Sequence, residues 1–416
     1  MRFLVTAWLL VVSFCAGATD WPQWRGPSRD GLLPSTSWPS SLSGENLTQS
    51  WSIPLEPSYS GPIVVGDRVF TTQTSNEEWE VVTAHDRKTG KQLWEARWEG
   101  AMKVPFFAKA NGSWIRSTPA YSDGRLYVAG MRDVLVCLDT DKGEILWKRN
   151  FIAELETPLP SFGFVCSPLV HGDKVIVQAG GGVLALNKET GKTVWHSAKD
   201  GGGMIGSAFS SPVVATLGGK KQLVVQSRTD LMGLSIEDGT QLWTQPVKAF
   251  RGMNILTPSI HKDLVITSAY GGRTHAFRIG MKDEKFTVEE AWNFKAQGYM
   301  SSPILTDTHL FLHLRNQRVA CIELATGKEA WTSTERFGKY WSMISNGDVI
   351  LALDQTGILY LMDVDTSGLK ILDKRKISDG ETWAHVAMGG NEIFVRSLNE
   401  LSAFQWQPPA FSATSR

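Results

Sequence analysis

Five times along this chain a glycine stands four residues before a tryptophan, inside segments that share one pattern. Residues 84–94 read AHDRKTGKQLW, 137–147 CLDTDKGEILW, 185–195 ALNKETGKTVW, 233–243 GLSIEDGTQLW and 321–331 CIELATGKEAW. The pairs are Gly90/Trp94, Gly143/Trp147, Gly191/Trp195, Gly239/Trp243 and Gly327/Trp331. A polar residue holds the third position of each segment: Asp86, Asp139, Asn187, Ser235 and Glu323. Such a segment is a β-hairpin. An apolar strand ends at the polar residue, the glycine supplies a turn with φ > 0, and a second strand carries the tryptophan.

Upstream of most copies lies another hairpin whose first strand opens with a hydroxyl residue and proline. The instances are Thr118-Pro119, Ser167-Pro168, Ser211-Pro212, Thr257-Pro258 and Ser302-Pro303. Proline at a strand's first position removes no ladder hydrogen bond. Each unit is therefore four short strands. The first four tryptophans, at 94, 147, 195 and 243, are 53, 48 and 48 residues apart. That period, with four strands per unit, predicts an all-β chain forming a β-propeller of four-stranded antiparallel blades.

Divergent copies bring the count to eight. Blade 5 is expected at 255–296 with a longer last hairpin ending at Trp292. Blade 7 spans 341–377 and places Leu372 where the tryptophan would fall. The last blade, 383–405, has only three strands of its own. The amino-terminal string LTQSWSIPL is expected to supply the fourth and to put Trp51 at the vacant position. Closure of this kind removes the open edges of the ring. Trp51, Trp94, Trp147, Trp195, Trp243, Trp292 and Trp331 then recur once per blade, as residues that pack adjacent sheets together.

The pattern A-x-D-x-x-T-G-K-x-x-W, matched at Ala84, Asp86, Thr89, Gly90, Lys91 and Trp94, resembles the tryptophan-docking repeat of the pyrroloquinoline-quinone (PQQ)-like, or quinoprotein alcohol dehydrogenase-like, propeller family. The resemblance covers roughly residues 47–407. It implies eight blades, each tryptophan docking on its neighbour. The family includes quinoprotein alcohol dehydrogenases and a non-enzymatic BamB-like branch of envelope scaffolds. Its dehydrogenases carry an adjacent-cysteine disulfide over PQQ and hold calcium. This sequence has no adjacent cysteine pair and no C-x-x-C-H haem motif, and no calcium-ligand motif can be carried over. The BamB-like branch is the better match, with no cofactor expected. PQQ with Ca²⁺, acting on alcohols or sugars, is the alternative.

Arg2 followed by the apolar run from Phe3 to Ala16 fits a signal peptide over residues 1–18, with Ala16-Gly17-Ala18 as its cleavage site. The run is too short to span a bilayer. The expected product is exported to the periplasm or cell envelope without a transmembrane anchor, and Phe14 argues against lipid attachment at Cys15. Residues 19–46 are expected to form an extended amino-terminal segment, 47–407 the propeller, and 408–416 a tail. With 42 basic and 42 acidic residues the net charge is zero, which disfavours nucleic acid as a partner. Cys137, Cys166 and Cys321 sit in apolar strings and are expected to be buried free thiols.

A ligand or partner is expected at the channel mouth, where the blade-to-blade loops share a face with the middle-strand turns. Large polar and aromatic residues in those segments are Trp114, Arg116, Arg132, Arg228 and Arg251, together with Asn254, Arg273, Arg315, Tyr340 and Trp341. Arginines from several blades meeting at one mouth would hold an acidic or carboxylate-rich group. Aromatic side chains beside them suit a peptide anchor, a sugar ring or a flat quinone. The eight histidines form no metal-spaced motif, and no catalytic residue or metal ligand is nominated. The overall expectation is a monomeric, non-catalytic scaffold binding an envelope protein or peptide segment. The alternatives are a PQQ-dependent dehydrogenase and a carbohydrate-binding propeller.

Overall fold

The computed structural model describes residues 20–33, 38–202, 206 and 209–406. The segment read as a signal peptide, Cys15 and the tail at 408–416 lie outside them. The described residues form eight four-stranded antiparallel sheets, an eight-bladed propeller. Blades 1 to 7 are each continuous in sequence, covering 63–99, 120–150, 169–197, 213–246, 259–294, 304–332 and 341–376. Blade 8 takes three strands from 387–406 and its outermost strand, Leu47–Pro54, from the other end of the chain. Leu47 pairs with Trp406 and Pro54 with Glu400.

The two middle strands of a blade are buried on both faces over most of their length, as in Arg125–Gly130 and Val134–Asp139 of blade 2, because neighbouring sheets cover them; the long third strand of blade 5, Thr274–Lys282, is the exception. The outermost strand alternates. In Gln92–Glu99, Trp94, Ala96 and Trp98 are buried and the residues between them exposed. This is the period of a strand with one wet face.

The repeated glycine has a second task besides its turn. The indole of the preceding blade lies against it. A Cβ on Gly90 would come 2.7 Å from the Trp51 ring, one on Gly143 2.5 Å from Trp94, and one on Gly191 2.7 Å from Trp147. Each of these indoles also donates Nε1–H to the carbonyl of the residue that follows the polar third position. Trp51 bonds Arg87 at 2.9 Å, Trp94 bonds Thr140 at 2.8 Å and Trp147 bonds Lys188 at 3.2 Å. Trp195 and Trp292 repeat the contact on Ile236 and Leu324, and Trp331 reaches Asp365. The polar side chain shapes the acceptor turn: Asp86 Oδ1 takes hydrogen bonds from the Thr89 amide and hydroxyl.

Two expectations about this pattern need correction. Trp243 does not dock on its neighbour through Nε1, which bonds Gln222 Oε1 of its own blade at 2.5 Å. Blade 5 has extended its last hairpin to residues 282–285, so no short turn waits at the required height. Docking thus depends on the receiving blade, not on the segment that carries the tryptophan. In blade 7 the tryptophan position is held by Asp373, not Leu372. Asp373 pairs with Leu361 as Trp94 pairs with Ala84, because the turn after Asp363 is two residues longer than the one after Asp86. Leu372 is 40% exposed.

Asp373 faces the one seam where the receiving blade has chain ends in place of a turn. Its Oδ2 accepts from Ser41 Oγ at 2.6 Å and from the Leu42 amide at 2.7 Å, while Arg375 donates to the carbonyls of Leu42 and Leu47. A carboxylate and a guanidinium replace the indole. Asp373→Ala is expected to lower unfolding stability by roughly 1–3 kcal/mol through the orphaned Leu42 amide. Leu372→Ala should shift it by less than about 0.5 kcal/mol. Urea titration of the two variants measures the contrast.

Cys137, Cys166 and Cys321 are buried and free. Burial pushes their thiols up to about 12, 11 and 12 respectively, which makes them packing groups and poor nucleophiles.

Candidate functional site

In blades 1 to 6 the proline just before the innermost strand fixes how the preceding residues enter the channel. Extended chain alternates its side chains, so residues three and one before the proline point the same way. In blade 2 these are Arg116 and Thr118, in blade 4 Phe209 and Ser211, and in blade 5 Ile255 and Thr257. All six line one cavity of about 240 Å³ on the propeller axis. Blade 1 follows the same spacing with Tyr59 and Gly61, and blade 8 with Trp383 and His385.

The lower of these two levels is a belt of hydrogen bonds between blades. The Gly61 amide donates to Thr118 Oγ1 at 3.1 Å, the Thr118 amide to Ser167 Oγ at 3.0 Å, the Ser167 amide to Ser211 Oγ at 2.9 Å and the Ser211 amide to Thr257 Oγ1 at 3.0 Å. The hydroxyls of Thr118, Ser167, Ser211 and Thr257, each before a proline, therefore accept from the matching residue of the blade before. This is the physical reason for the hydroxyl-proline pairs in the sequence.

The upper level is aromatic. Tyr59 and Trp383 stack with centroids 4.4 Å apart and planes 9° apart, and Trp383 meets Tyr340 at 3.7 Å. Across the mouth lie Phe162 and Phe209, 5.6 Å apart. Arg116 is the one permanently charged side chain in the lining. Its guanidinium lies over the Tyr59 ring at 5.4 Å and donates to the Gly112 carbonyl at 2.7 Å, and burial holds its pKa below the usual range.

The other end of the channel is closed by the chain's own amino-terminal segment. Residues 20–33, expected as extended chain, run through a series of turns. They span the axis: Trp21 bridges Val64 of blade 1, Pro22 accepts from the Tyr121 amide of blade 2, and Leu33 donates to Ser345 of blade 7. Arg25 donates to Pro303 O of blade 6 at 2.5 Å and to Asp30 O at 2.6 Å. Arg29 donates to Pro168 O at 2.7 Å and Ser167 O at 3.0 Å in blade 3, and to Gln23 Oε1. Trp24 lies within 5.8 Å of both guanidinium carbons and forms the floor of the cavity. Burial and the nearby Arg25 push the His385 imidazole down to about 3, so it is neutral at any physiological pH.

Of the residues nominated from the sequence, Arg116, Tyr340 and Trp341 line the cavity. The rest are engaged elsewhere. Trp114 stands edge-on to Tyr59 at 5.2 Å. Arg228 lies over Phe209 at 4.9 Å and bonds the Arg251 carbonyl, while Asn254 is buried, donating to the carbonyls of Arg228 and Val247. Arg251 covers Phe250, Arg315 covers Tyr270 at 4.4 Å, Arg273 bonds Asn293, and Arg132 is exposed. The arginines of several blades do not meet at one mouth, because neighbouring rings and carbonyls hold them locally. The residues that sequence reasoning passed over are Trp24, Tyr59, Phe162, Phe209, Trp383 and His385. For Tyr59, Phe209 and Trp383 the signal was available: they stand two residues before the belt position.

The lining contains no Asp or Glu, and the described residues contain no group of three metal-ligating side chains. Calcium in proteins takes about six to eight oxygen ligands, with carboxylates prominent among them. The hydroxyls, indoles and imidazole present do not fit a calcium-bound quinone.

The family model described as outer membrane protein assembly factor BamB matches residues 78–333. The BamB of Yersinia pestis is 21% identical over 296 residues, covering 68% of this chain and 70% of that protein. The 1-butanol dehydrogenase (cytochrome c) of Thauera butanivorans is 28% identical over 181 residues, 42% of this chain and 24% of the enzyme. Among solved structures, BamB from Moraxella catarrhalis superposes with a TM-score of 0.63 at 16% identity, covering 87% of this chain and 98% of that one. No helix among the described residues is long and apolar enough to cross a membrane.

Proposed function

This chain belongs to the family described as the outer membrane protein assembly factor BamB, and from that premise we propose that it is an exported, non-catalytic propeller serving as a binding and assembly scaffold in the bacterial cell envelope. The observation that carries the reading is an apolar surface on the mouth face. Phe106 is 89% exposed, and Phe107 beside it is half exposed. Their rings meet edge-on at 5.7 Å, and Phe107 continues to Phe162 at the cavity rim at 6.3 Å. Exposed aromatic side chains grouped in this way favour a protein partner, since burying them against one recovers hydrophobic free energy left unused in the monomer.

The partner in this reading is an envelope protein offering an apolar segment to blades 1 and 2. The chemistry of the lining supports binding over catalysis. Its ionisable side chains are an arginine stacked on tyrosine, the two phenols of Tyr59 and Tyr340 held neutral by burial, and an imidazole pushed far below neutrality. None is poised as a general acid or base near pH 7.

A photo-crosslinking residue at position 106 should capture one discrete envelope protein in cells. With the photo-crosslinking residue moved to the exposed position 109, Phe106→Ser/Phe107→Ser should abolish the adduct with little change in thermal stability, because Phe106 and half of Phe107 already face water. The same double variant should fail to restore outer-membrane β-barrel protein levels in a strain lacking the chain. Full restoration by the double variant would overturn the scaffold reading at this surface.

A further inference from the structure

We propose that one small monovalent anion of the size and charge of chloride is bound between blades 8 and 1 by Arg396 and Thr71, where it fastens the closure of the ring. The proposal concerns the closure seam and is independent of the scaffold reading, which rests on the outer phenylalanines.

Arg396 lies on the second strand of blade 8, Glu392–Ser397. Two residues before it, Phe394 packs on Trp51 with centroids 6.0 Å apart and lies beneath the Arg87 guanidinium of blade 1. Strand alternation gives Arg396 the same direction, so it too enters the seam with blade 1. The side chain is fully buried, and its Nη2 donates to the Glu56 carbonyl. Nε and Nη1 are buried as well, and neither finds an acceptor among the described residues. Arg87, the other guanidinium in this seam, makes the contrast. Its Nε donates to Glu392 Oε2 at 2.7 Å, and its terminal nitrogens donate to the carbonyls of Gly66 and Gly389. One cation of the seam has a carboxylate, and the other has none among the described residues.

The facing side of blade 1 is polar and buried, built from Thr71, Gln73, Thr83 and His85. His85 Nδ1 donates to the Gly90 carbonyl at 3.0 Å, which leaves Nε2 to accept from the Thr83 hydroxyl at 2.9 Å. Gln73 Oε1 accepts from the Glu56 amide at 2.7 Å, and its Nε2 donates to Thr83 Oγ1 at 3.4 Å. The side-chain acceptors of Gln73 and His85 are thereby taken. The groups left over are the Thr71 hydroxyl and the two guanidinium nitrogens of Arg396, all of them able to donate.

Charge decides what pairs with them. Burial lowers the Arg396 pKa to about 9, so the group is still a cation at pH 7. His85 adds no second charge, because burial and the nearby Arg396 hold its pKa below the usual range. A buried cation without a counter-charge is costly. One guanidinium calls for one negative charge, and a dianion would leave charge over. A halide accepts from several directions and needs no acceptor in return, which matches a set of donors. Water would satisfy the donors, but its own protons would need acceptors that the neighbouring side chains have already committed, and it balances no charge.

The site exists only when residues 71 and 396 face each other, so occupancy stabilises the closed ring over the open chain. Urea unfolding of the unmodified protein at fixed ionic strength, with sodium gluconate exchanged stepwise for sodium chloride, is the first test. The folding equilibrium constant should rise roughly tenfold per decade of chloride above half-saturation, the slope for one bound ion. Crystals of the unmodified protein in sodium bromide should show an anomalous scatterer between Arg396 and Thr71. Arg396→Met keeps the apolar stem, removes the charge and should abolish the chloride dependence. Thr71→Val should weaken it severalfold, with Thr71→Ser restoring it. Stability indifferent to chloride, bromide absent from Arg396, or a chloride dependence that survives in Arg396→Met would each overturn the proposal. The first two measurements use the unmodified protein and decide the matter even if a variant fails to fold.

Discussion

Gly143→Ala is expected to destabilise the propeller by about 3–5 kcal/mol, far more than one methyl group normally costs. Two effects add. The residue sits at φ +75°, where an L side chain is strained by roughly 1–2 kcal/mol. The new Cβ would also stand 2.5 Å from the Trp94 ring, so the indole must leave its seat and give up its bond to the Thr140 carbonyl. Gly124→Ala isolates the first effect, since its φ is +76° and nothing lies within 4 Å of the added atom. The difference between the two variants, read from urea midpoints, is the energy of one indole docking. Trp94→Ala alone should cost roughly 3–5 kcal/mol, as for large buried aromatics elsewhere. The double variant should cost much less than the sum of the singles, because both changes remove the same contact. An additive result would mean that the indole does not seat on the glycine.

Arg29→Ala should have a comparable effect through a different mechanism. The guanidinium ties the floor segment to blade 3 with two carbonyls and braces Gln23 from within. Its removal leaves the buried Pro168 carbonyl without a donor, at about 1–3 kcal/mol, and leaves that of Ser167 with only the weak Cys166 thiol. Arg29→Lys supplies one charge but not the two-pronged donor geometry and should recover only part of the loss. Loosening of the floor should show as increased acrylamide quenching of tryptophan fluorescence, since Trp24 sits between the two arginines. A melting temperature and quenching constant equal to those of the unmodified protein would show that the segment is not fastened there.

Much of this architecture is legible in the sequence, for a definite reason. Blade count, strand order and closure follow from Gly90/Trp94 and its repeats, because one local contact is made again and again at nearly constant spacing. The hydroxyl-proline pairs are equally visible, yet their purpose is not: the partner of Thr118 is Gly61, one blade away in space and 57 residues away in sequence. Trp243 and Asp373 escape for a related reason. What a docking residue does is set by the neighbouring blade, and a lengthened hairpin or a pair of chain ends there changes the answer. The arginines mislead because position on the mouth face does not fix direction. Arg228 and Arg315 find a ring within about 5 Å and fold over it in place of reaching the axis. The floor is the least legible part. Nothing in the string WPQWRGPSRDG announces that two cations will be buried by donating to carbonyls of blades 3 and 6.

Blade 8 is assembled from Leu47–Pro54 and three strands that follow Ala387. Its first pairing, Leu47 with Trp406, joins residues that a growing chain delivers almost at opposite times. Seven blades must therefore wait, each exposing an unsatisfied flank to the next, until the final strand arrives to lock the circle. Contacts of such long loop length are entropically slow to form. The molecule pays for a seamless ring with a late, all-or-nothing final step, and during that interval its open flanks are most vulnerable to capture by other chains.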